Sequence, residues 1–440
     1  MGSFKSSLFL AGVILGALSA SAASPSVWLA GPDLGNECVA AFRKVLSEAE
    51  IDPGASDTRA ILARLRARSD GAAPQVMMFN CRPVAGAGMP DYAVDLKSIV
   101  EEARRRRIEL LWFDAPGGGE ANQTARQVMD AHGVMTVEFD AFSRSLRAKN
   151  AADAPLTAAA RRRQGEFLAE AVTQWWSACA TSNPETEHIK LWPGPPPAYE
   201  FSGPQRVNRS ARIDRVSEPE LVRFLPKKRD RAPAVIFFPG GGYGYIGFLR
   251  NAKELAERLD AQGIAVIGLK YRMGRPVEVP LLDAERAVRY VRTHAAEWGI
   301  DPERIGVAGQ SAGANLVLNL ANCFDAGDAK AKDLIERASS RPDFMVVLTS
   351  WNFGKPVSTF TFPADTPPVF LRHAKSDAGF TIAEQVVARL QEQRVPLDYL
   401  FLETGGHGAF ELSPENPGAG WPDDLVAWLR QRGLFGRAQP

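Results

Sequence analysis

The sequence predicts an α/β protein built from two parallel-sheet domains, and three observations lead to this prediction. Apolar runs alternate with helix-like segments along both halves of the 440-residue chain, which is typical of strand–helix–strand units. A proline-rich stretch, 181–205, separates the halves, and its prolines disfavour both helix and central strand. In the second half, Gly-Gln-Ser-Ala-Gly at 309–313 stands between a strand-like and a helix-like run.

The first 23 residues have the pattern of a signal peptide. Lys5 supplies the positive charge, residues 8–18 form a short apolar core, and Ala20-Ser21-Ala22 provides a cleavage pattern. The apolar core is too short to span a bilayer comfortably. We therefore expect a secreted or periplasmic protein without a transmembrane anchor.

Residues 24–180 are predicted to form the smaller domain. Strands are expected at 27–30, 75–80, 108–113 and 134–139, and helices at 36–49, 58–68, 92–106, 122–132 and 157–178. The stretch 181–205 is expected to be a stiff linker and the entry to the second domain.

Residues 206–440 are predicted to form the larger domain. An antiparallel hairpin is expected from 209–216 and 220–224, followed by strands at 234–238, 265–270, 305–308, 345–348, 369–372 and 399–402. Helices are expected between them, at 250–262, 281–297, 312–324, 380–393 and 422–432.

Charge and cysteine content narrow the class of partner and cofactor. The formal net charge is +1, which gives no reason to expect nucleic acid or a membrane surface as partner. The four cysteines, Cys38, Cys81, Cys179 and Cys323, resemble no zinc motif, and no metal or cofactor is expected. Export would allow oxidation, with three full pairings open. One bridge in the first half is expected, with Cys323 a buried free thiol. Nothing in the sequence indicates an oligomeric state.

Ser311, at the centre of the Gly-Gln-Ser-Ala-Gly sequence, is the candidate nucleophile. Between a strand and a helix, this pattern forms a sharp turn that projects the serine hydroxyl above the sheet. The glycines are needed because side chains at 309 or 313 would clash with neighbouring elements. A serine hydroxyl also needs a base to take its proton.

His407 is the candidate base among the chain's five histidines. It lies in a glycine-rich loop directly after the last predicted strand, where open sheets place their functional groups. His373, at the end of the preceding strand, is the closest competitor. The remaining three are His132, His188 and His294.

Asp377 is the candidate carboxylate that orients the histidine. It follows the strand at 369–372 and lies between Ser311 and His407 in chain order, as in other strand–turn–helix serine sites. Asp365 and Asp398 are the alternatives. Asp365 precedes a strand and Asp398 begins one, so both are expected at the opposite edge of the sheet.

Backbone N–H groups are expected to stabilise a developing oxyanion. Ala312 directly follows the nucleophile, and Gly241 and Gly242 belong to a triple glycine after the strand at 234–238. Each such donor is worth about 3 kcal/mol in the transition state.

Several further stretches carry a family resemblance. They are 191–194 (Leu-Trp-Pro-Gly), 239–243 (Pro-Gly-Gly-Gly-Tyr), 270–272 (Lys-Tyr-Arg), 283–287 (Asp-Ala-Glu-Arg-Ala), 299–306 (Gly-Ile-Asp-Pro-Glu-Arg-Ile-Gly) and 309–313. With Asp377 and His407, they make residues 190–435 resemble an α/β-hydrolase of the acetyl-xylan-esterase and feruloyl-esterase-like group. The resemblance implies a mostly parallel eight-stranded sheet flanked by helices. It also implies hydrolysis of short acyl esters, often acetyl groups on plant-type polysaccharide.

Two departures from the family's residue pattern, and several aromatic residues, bear on which substrate the site would accept. Gln310 and Ala314-Asn315 stand where the family often has an aromatic residue and Gly-His. The resemblance implies that these positions border the acyl pocket, so Gln310 is a candidate substrate-binding residue. The stretch 351–367 is short for a cap, which favours an open cleft. Tyr243, Tyr245, Trp351 and Phe353 are candidates to stack on sugar rings; filling the rim of the core is the equal alternative for these aromatics.

The first domain resembles an SGNH-type, flavodoxin-like hydrolase. Gly31-Pro32-Asp33-Leu34 stands where that family has Gly-Asp-Ser-Leu, and 153–157 lacks the histidine of the family's Asp-x-x-His. Asp33 thus replaces the serine. We expect a catalytically silent relative that binds substrate or supports the second domain.

The resulting hypothesis is an exported serine esterase acting on a small-molecule or polysaccharide ester. Two alternatives stay open. A prolyl-oligopeptidase-like peptidase would share the serine pattern but carry a β-propeller before it, and a non-catalytic carbohydrate-binding protein would lack an activated serine.

Overall fold

The computed structural model describes residues 26–435, apart from several short stretches. Those stretches are 32–33, 53–54, 69–73, 107, 133, 138, 148–154, 179–186, 199–205, 208–211, 217, 228–229, 248–249, 274–276 and 353–354. The predicted signal peptide, Asp33, Asp153, Cys179 and Phe353 lie outside the described residues.

The described elements alternate between strand and helix along most of the chain. Before residue 180 they are β1 (Val27–Ala30), α1 (Asn36–Val45), β2 (Glu50–Asp52), α2 (Thr58–Ala67), β3 (Val76–Phe79), α3 (Met89–Arg105), β4 (Glu109–Phe113), α4 (Gly119–Ala131), β5 (Met135–Val137), α5 (Phe139–Ser145) and α6 (Ala158–Ala178). After it they are β6 (Glu187–Lys190), β7 (Arg206–Val207), β8 (Arg212–Arg215), β9 (Glu220–Phe224), β10 (Ala232–Phe238), β11 (Ile246–Gly247), α7 (Arg250–Leu259), β12 (Ala265–Lys270), α8 (Glu278–Thr293), α9 (Ala295–Trp298), β13 (Ile300–Gln310), α10 (Ala312–Ala321), β14 (Met345–Leu348), β15 (Val369–Ala374), α11 (Phe380–Glu392), β16 (Leu397–Leu402) and α12 (Trp421–Gln431).

The first unit is a parallel sheet covered on both faces. Its described strands form a five-stranded sheet in the order β2-β1-β3-β4-β5, the flavodoxin-like order of doubly wound sheets. Along β1, Leu29 packs with side chains of α1 and α6, whereas Trp28 packs with side chains of α2 and α3. Burial on both faces is why the central strands β1 and β3 are continuous apolar runs. The likeness to SGNH hydrolases stays a prediction.

The second unit is a larger, mostly parallel sheet. Its described strands form an eight-stranded sheet in the order β16-β15-β14-β13-β10-β12-β9-β6, in which only the pairs that involve β9 are antiparallel. All seven side chains of the central strand β10 are buried. This sheet agrees with the α/β-hydrolase architecture predicted for this part of the chain.

The sheet order corrects the predicted hairpin. β8 does not pair with β9. It joins β7 and β11 in a separate three-stranded sheet of the described residues, and β9 pairs with β6 and β12. The strand β6 also lies within the stretch predicted as a linker. A four-residue edge strand with a single apolar residue, Glu187 to Lys190, carries too weak an apolar pattern to be found by periodicity.

The described cysteines are free thiols. Cys38 and Cys81 are both buried and belong to apolar clusters on opposite faces of the five-stranded sheet, so they do not pair with each other. Cys323 is free, as expected, but exposed rather than buried, because α10 ends two residues before it.

No helix in the part of the chain that the structure describes has the length and apolar character needed to cross a membrane.

Candidate active site

Ser311 sits in a sharp turn between β13 and α10. Its backbone has φ 55° and ψ −115°, a left-handed conformation that side chains rarely adopt. A methyl group on Gly309 would lie 2.2 Å from the Gly313 carbonyl oxygen, and one on Gly313 would lie 1.9 Å from that of Phe238. Both glycines are therefore required by contact, as predicted. The Ser311 N–H donates to the Leu348 carbonyl at 3.0 Å, which ties the turn to β14.

The structure brings the three predicted catalytic side chains together. His407 Nε2 lies 2.9 Å from Ser311 Oγ, and His407 Nδ1 lies 2.6 Å from Asp377 Oδ2. Both are hydrogen-bond distances. The three residues come from loops at the carboxyl ends of β13, β15 and β16, so the parallel sheet is what places residues so distant in the chain side by side.

The acid and the base differ in exposure. The side chain of Asp377 is 1% exposed, whereas that of His407 is 50% exposed. Asp377 Oδ1 accepts a hydrogen bond from the Gly379 N–H at 2.6 Å, which leaves Oδ2 for the imidazole. The Gly406 N–H donates to Ser376 Oγ at 3.0 Å and so links the two loops. A buried, anchored carboxylate thus contacts an imidazole that is half exposed to solvent.

The rejected candidates have other places in the fold. Asp398 pairs with Arg372 at 2.7 Å, and Asp365 lies 3.5 Å from Arg341. His188 contacts Glu220 at 3.0 Å, and His294 Nδ1 lies 2.9 Å from the Tyr290 carbonyl oxygen. These contacts join them to partners other than the three catalytic candidates.

His373 is fully buried at the end of β15. Its Nε2 lies 3.9 Å from Asp377 Oδ2, too far for a hydrogen bond, and neither ring nitrogen has a hydrogen-bond partner among the described residues. Burial lowers the pKa of His373 to about 4, although the Asp377 carboxylate acts in the opposite direction. The imidazole of His373, the closest competitor for the base by sequence, is therefore neutral and lies behind the candidate carboxylate Asp377.

The triple glycine of the predicted oxyanion loop packs directly against the nucleophile turn. A methyl group on Gly240 would lie 2.9 Å from the Gln310 carbonyl oxygen and 3.3 Å from Ser311 Cβ. Gly241 and Gly242 both have positive φ, 141° and 64°, and a methyl group on Gly241 would lie 1.8 Å from the Tyr245 carbonyl oxygen. The loop can approach Ser311 this closely only because Gly240 has no side chain, and it can fold back onto Tyr245 only because Gly241 has none.

Ala312 occupies the first position of α10. The first N–H groups of a helix have no acceptor within the helix, and the helix dipole adds partial positive charge there. The backbone at 312 is therefore suited to an oxyanion. The donor role of Ala312, Gly241 and Gly242 stays a prediction.

The four predicted substrate-binding residues lie in two kinds of environment. Trp351 is half-buried, with its ring perpendicular to that of His407 and the ring centroids 5.8 Å apart, and Tyr245 is 39% exposed. Gln310 is buried and its Oε1 accepts from Asn251 Nδ2 at 3.2 Å. Tyr243 is buried as well, so Trp351 and Tyr245 are the better placed to meet a substrate.

Sequence reasoning missed the supports of the oxyanion loop. The Tyr271 hydroxyl donates to the Pro239 carbonyl at 2.6 Å, and the Tyr243 hydroxyl donates to Asn315 Oδ1 at 3.1 Å. No local pattern marks such pairs, because the partners are 32 and 72 positions apart.

Metal binding has no support in the described ranges, where no group of three or more His, Cys, Asp or Glu side chains could hold an ion.

Comparison with known proteins finds a family-model match around this site. The BD-FAE family model matches residues 223–348, which include the predicted oxyanion loop and Ser311. An acetylxylan esterase of Xylanibacter ruminicola is 34% identical over 98 residues, 22% of this chain and 20% of its own length. The carboxylesterase NlhH of Mycobacterium tuberculosis is 33% identical over 152 residues, 34% of this chain and 44% of its own length.

This chain therefore spans less than half the length of either curated relative. Among solved structures, an acetyl ester-xyloside bifunctional hydrolase from Caldicellulosiruptor lactoaceticus is 28% identical, with a TM-score of 0.48. The match covers 57% of this chain and 97% of the chain of that hydrolase.

Proposed function

We propose that the protein is an exported serine esterase that hydrolyses short acyl esters, with acetylated carbohydrate as the expected substrate. The main support for this proposal is the pair of hydrogen-bond distances that link Ser311 to His407 and His407 to Asp377. The BD-FAE match and the names of the two curated relatives support ester hydrolysis. Export rests on the sequence pattern of the first 23 residues.

The proposed reaction proceeds through an acyl-enzyme. His407 Nε2 takes the proton of Ser311 Oγ as that oxygen attacks the acyl carbon. The ester C–O bond then breaks, and the leaving alcohol receives the proton from His407. Water attacks the acyl-enzyme with His407 again as base, which releases the carboxylic acid and restores Ser311.

Asp377 and the backbone donors stabilise the charges of this reaction. Asp377 holds the Nδ1 proton of His407, which fixes the tautomer that leaves Nε2 free to accept. The N–H groups of Ala312, Gly241 and Gly242 are the proposed donors to the oxyanion. None of these steps needs a cofactor.

The unit before residue 180 is proposed to be catalytically silent. Asp33 stands where the SGNH resemblance has its serine, and no histidine occurs in the 153–157 segment. Its proposed role is to bind substrate or to support the second unit.

The test is the Ser311→Ala variant with an acetyl nitrophenyl ester. We expect turnover to fall by about 10⁴-fold or more, and labelling by a fluorophosphonate probe to disappear. Ser98→Ala, on α3 of the first unit, is the control and should retain both. Retained activity in Ser311→Ala would overturn the proposal, and residual labelling would contradict a silent first unit.

Two further substrates test the specificity. Acetate release from acetylated xylan is expected, whereas hydrolysis of an aminoacyl anilide at a comparable rate would favour a peptidase.

A further inference from the structure

Tyr243 has a strained backbone in the middle of the oxyanion loop. Its φ is 58°, directly after Gly241 at 141° and Gly242 at 64°. The glycines adopt such angles freely, but a tyrosine does so at a cost and only where its surroundings hold it in place. A strained residue beside a reaction centre therefore raises the question of what its side chain does.

The side chain of Tyr243 is held inside the protein and does not line a cleft. It is 4% exposed, and its ring stands edge-on to that of Tyr271 with centroids 6.2 Å apart. Tyr271 in turn donates to the Pro239 carbonyl at the start of the same loop. Two buried aromatic residues thus contact the loop from beneath.

The partner of the Tyr243 hydroxyl lies on the nucleophile helix. Asn315 Oδ1 accepts from it at 3.1 Å, and the Asn315 N–H donates to the Ser311 carbonyl at 3.0 Å. Asn319 Nδ2 steadies Asn315 through its carbonyl oxygen at 2.8 Å and through Oδ1 at 3.1 Å. The acceptor is therefore one helical turn from the nucleophile and is itself anchored.

We propose that Tyr243 is a positioning residue, whose hydrogen bond to Asn315 clamps the oxyanion loop to the nucleophile helix. The donors of the proposed oxyanion site come from both of these elements. Their convergence on one oxygen depends on the separation between loop and helix, which this bond spans. The proposal rests on the proposed function and replaces the expectation that Tyr243 stacks on substrate.

The clamp predicts a particular kinetic signature. A misplaced oxyanion donor weakens binding of the transition state more than that of the ground state, so kcat should fall while KM stays nearly constant. Loss of a substrate contact would instead raise KM.

The experiment compares Tyr243→Phe, Asn315→Ala and the double variant in the full chain. With the acetyl nitrophenyl ester, each single variant should lose about tenfold in kcat with KM within threefold, the size expected for one buried hydrogen bond with its desolvation cost. The double variant should lose no more than either single one, because the same bond is removed. Affinity for an aryl trifluoromethyl ketone, which forms a tetrahedral adduct, should fall in parallel with kcat.

Tyr92→Phe is the matched control. Tyr92 is buried, and its hydroxyl donates to the Cys81 carbonyl at 2.8 Å in the first unit, so the change removes a comparable bond away from the site. Its kcat should equal that of the wild type. An equal loss of kcat in Tyr92→Phe would overturn the clamp in favour of general destabilisation.

Two other outcomes would overturn the proposal. The first is a raised KM with unchanged kcat in Tyr243→Phe. The second is a kcat within twofold of wild type in Asn315→Ala. This second variant tests the clamp even if Tyr243→Phe does not fold. Failure of the proposed function would show separately, as wild-type activity that Ser311→Ala retains.

Discussion

His407 Nδ1 lies 2.6 Å from Oδ2 of Asp377, a carboxylate whose side chain is 1% exposed. A short contact to a buried carboxylate fixes both the ring orientation and the position of the proton. The other ring nitrogen faces Ser311 on the open side of the site. This division between a buried carboxylate and an accessible imidazole underlies the first prediction.

Asp377→Asn should lower kcat by about 10³- to 10⁴-fold, because an amide can donate to Nδ1 and thereby stabilise the wrong tautomer. Steady-state kinetics with the acetyl nitrophenyl ester measure the effect. Asp365→Asn is the matched control, since Asp365 was the alternative acid by sequence and its side chain is 68% exposed. Equal losses in the two variants would remove Asp377 from the mechanism.

His373 should make folding stability depend on pH. Its pKa is about 4 in the folded protein and about 6.5 when unfolded, so the unfolded chain binds the extra proton between these values. The contribution of His373 to the free energy of unfolding is therefore complete above pH 6.5. It is lost as the pH drops toward 4, which lowers the free energy of unfolding by on the order of 3 kcal/mol.

Urea unfolding at pH 7, 6 and 5 measures this slope in the wild type and in His373→Gln. The variant carries no titratable group at this position, so its slope over the same range should be shallower. Parallel slopes in the two proteins would show that His373 is not the group responsible.

A buried ion pair lies beside the end of β12, the strand that pairs with β10. Arg272 and Asp283 are both 0% exposed and 2.9 Å apart, and Asp283 also accepts from Trp192 Nε1 at 2.8 Å. Asp283→Ala should destabilise the protein by about 3–5 kcal/mol, because it leaves the guanidinium buried without its charge partner.

Thermal and urea unfolding measure this loss. The double variant Arg272→Met/Asp283→Leu should be less destabilised than Asp283→Ala, since no unpaired charge remains. A double variant that loses as much as both single changes added together would contradict the ion-pair explanation.

Much of this protein was determined by local sequence. The turn at Gly309–Gly313 is marked in the sequence by its own glycines and by the apolar runs beside it, so its pattern could be recognised without the fold. The same holds for β10 and β12, where continuous burial makes each strand an apolar run. The order of Ser311, Asp377 and His407 along the chain, each after a predicted strand, was enough to nominate the catalytic set.

Tertiary structure alone decided which side chains meet. The pairing of β9 with β6 and β12 instead of β8 joins segments far apart in the chain, and short polar edge strands carry little periodic signal. The direction of the Tyr243 side chain, inward to Asn315 instead of outward to a substrate, follows from a positive φ that no residue pattern reveals. The candidate reacting groups could be identified from the sequence because the patterns that mark them are local. Their supports were decided by the fold because packing joins residues that are distant in the chain.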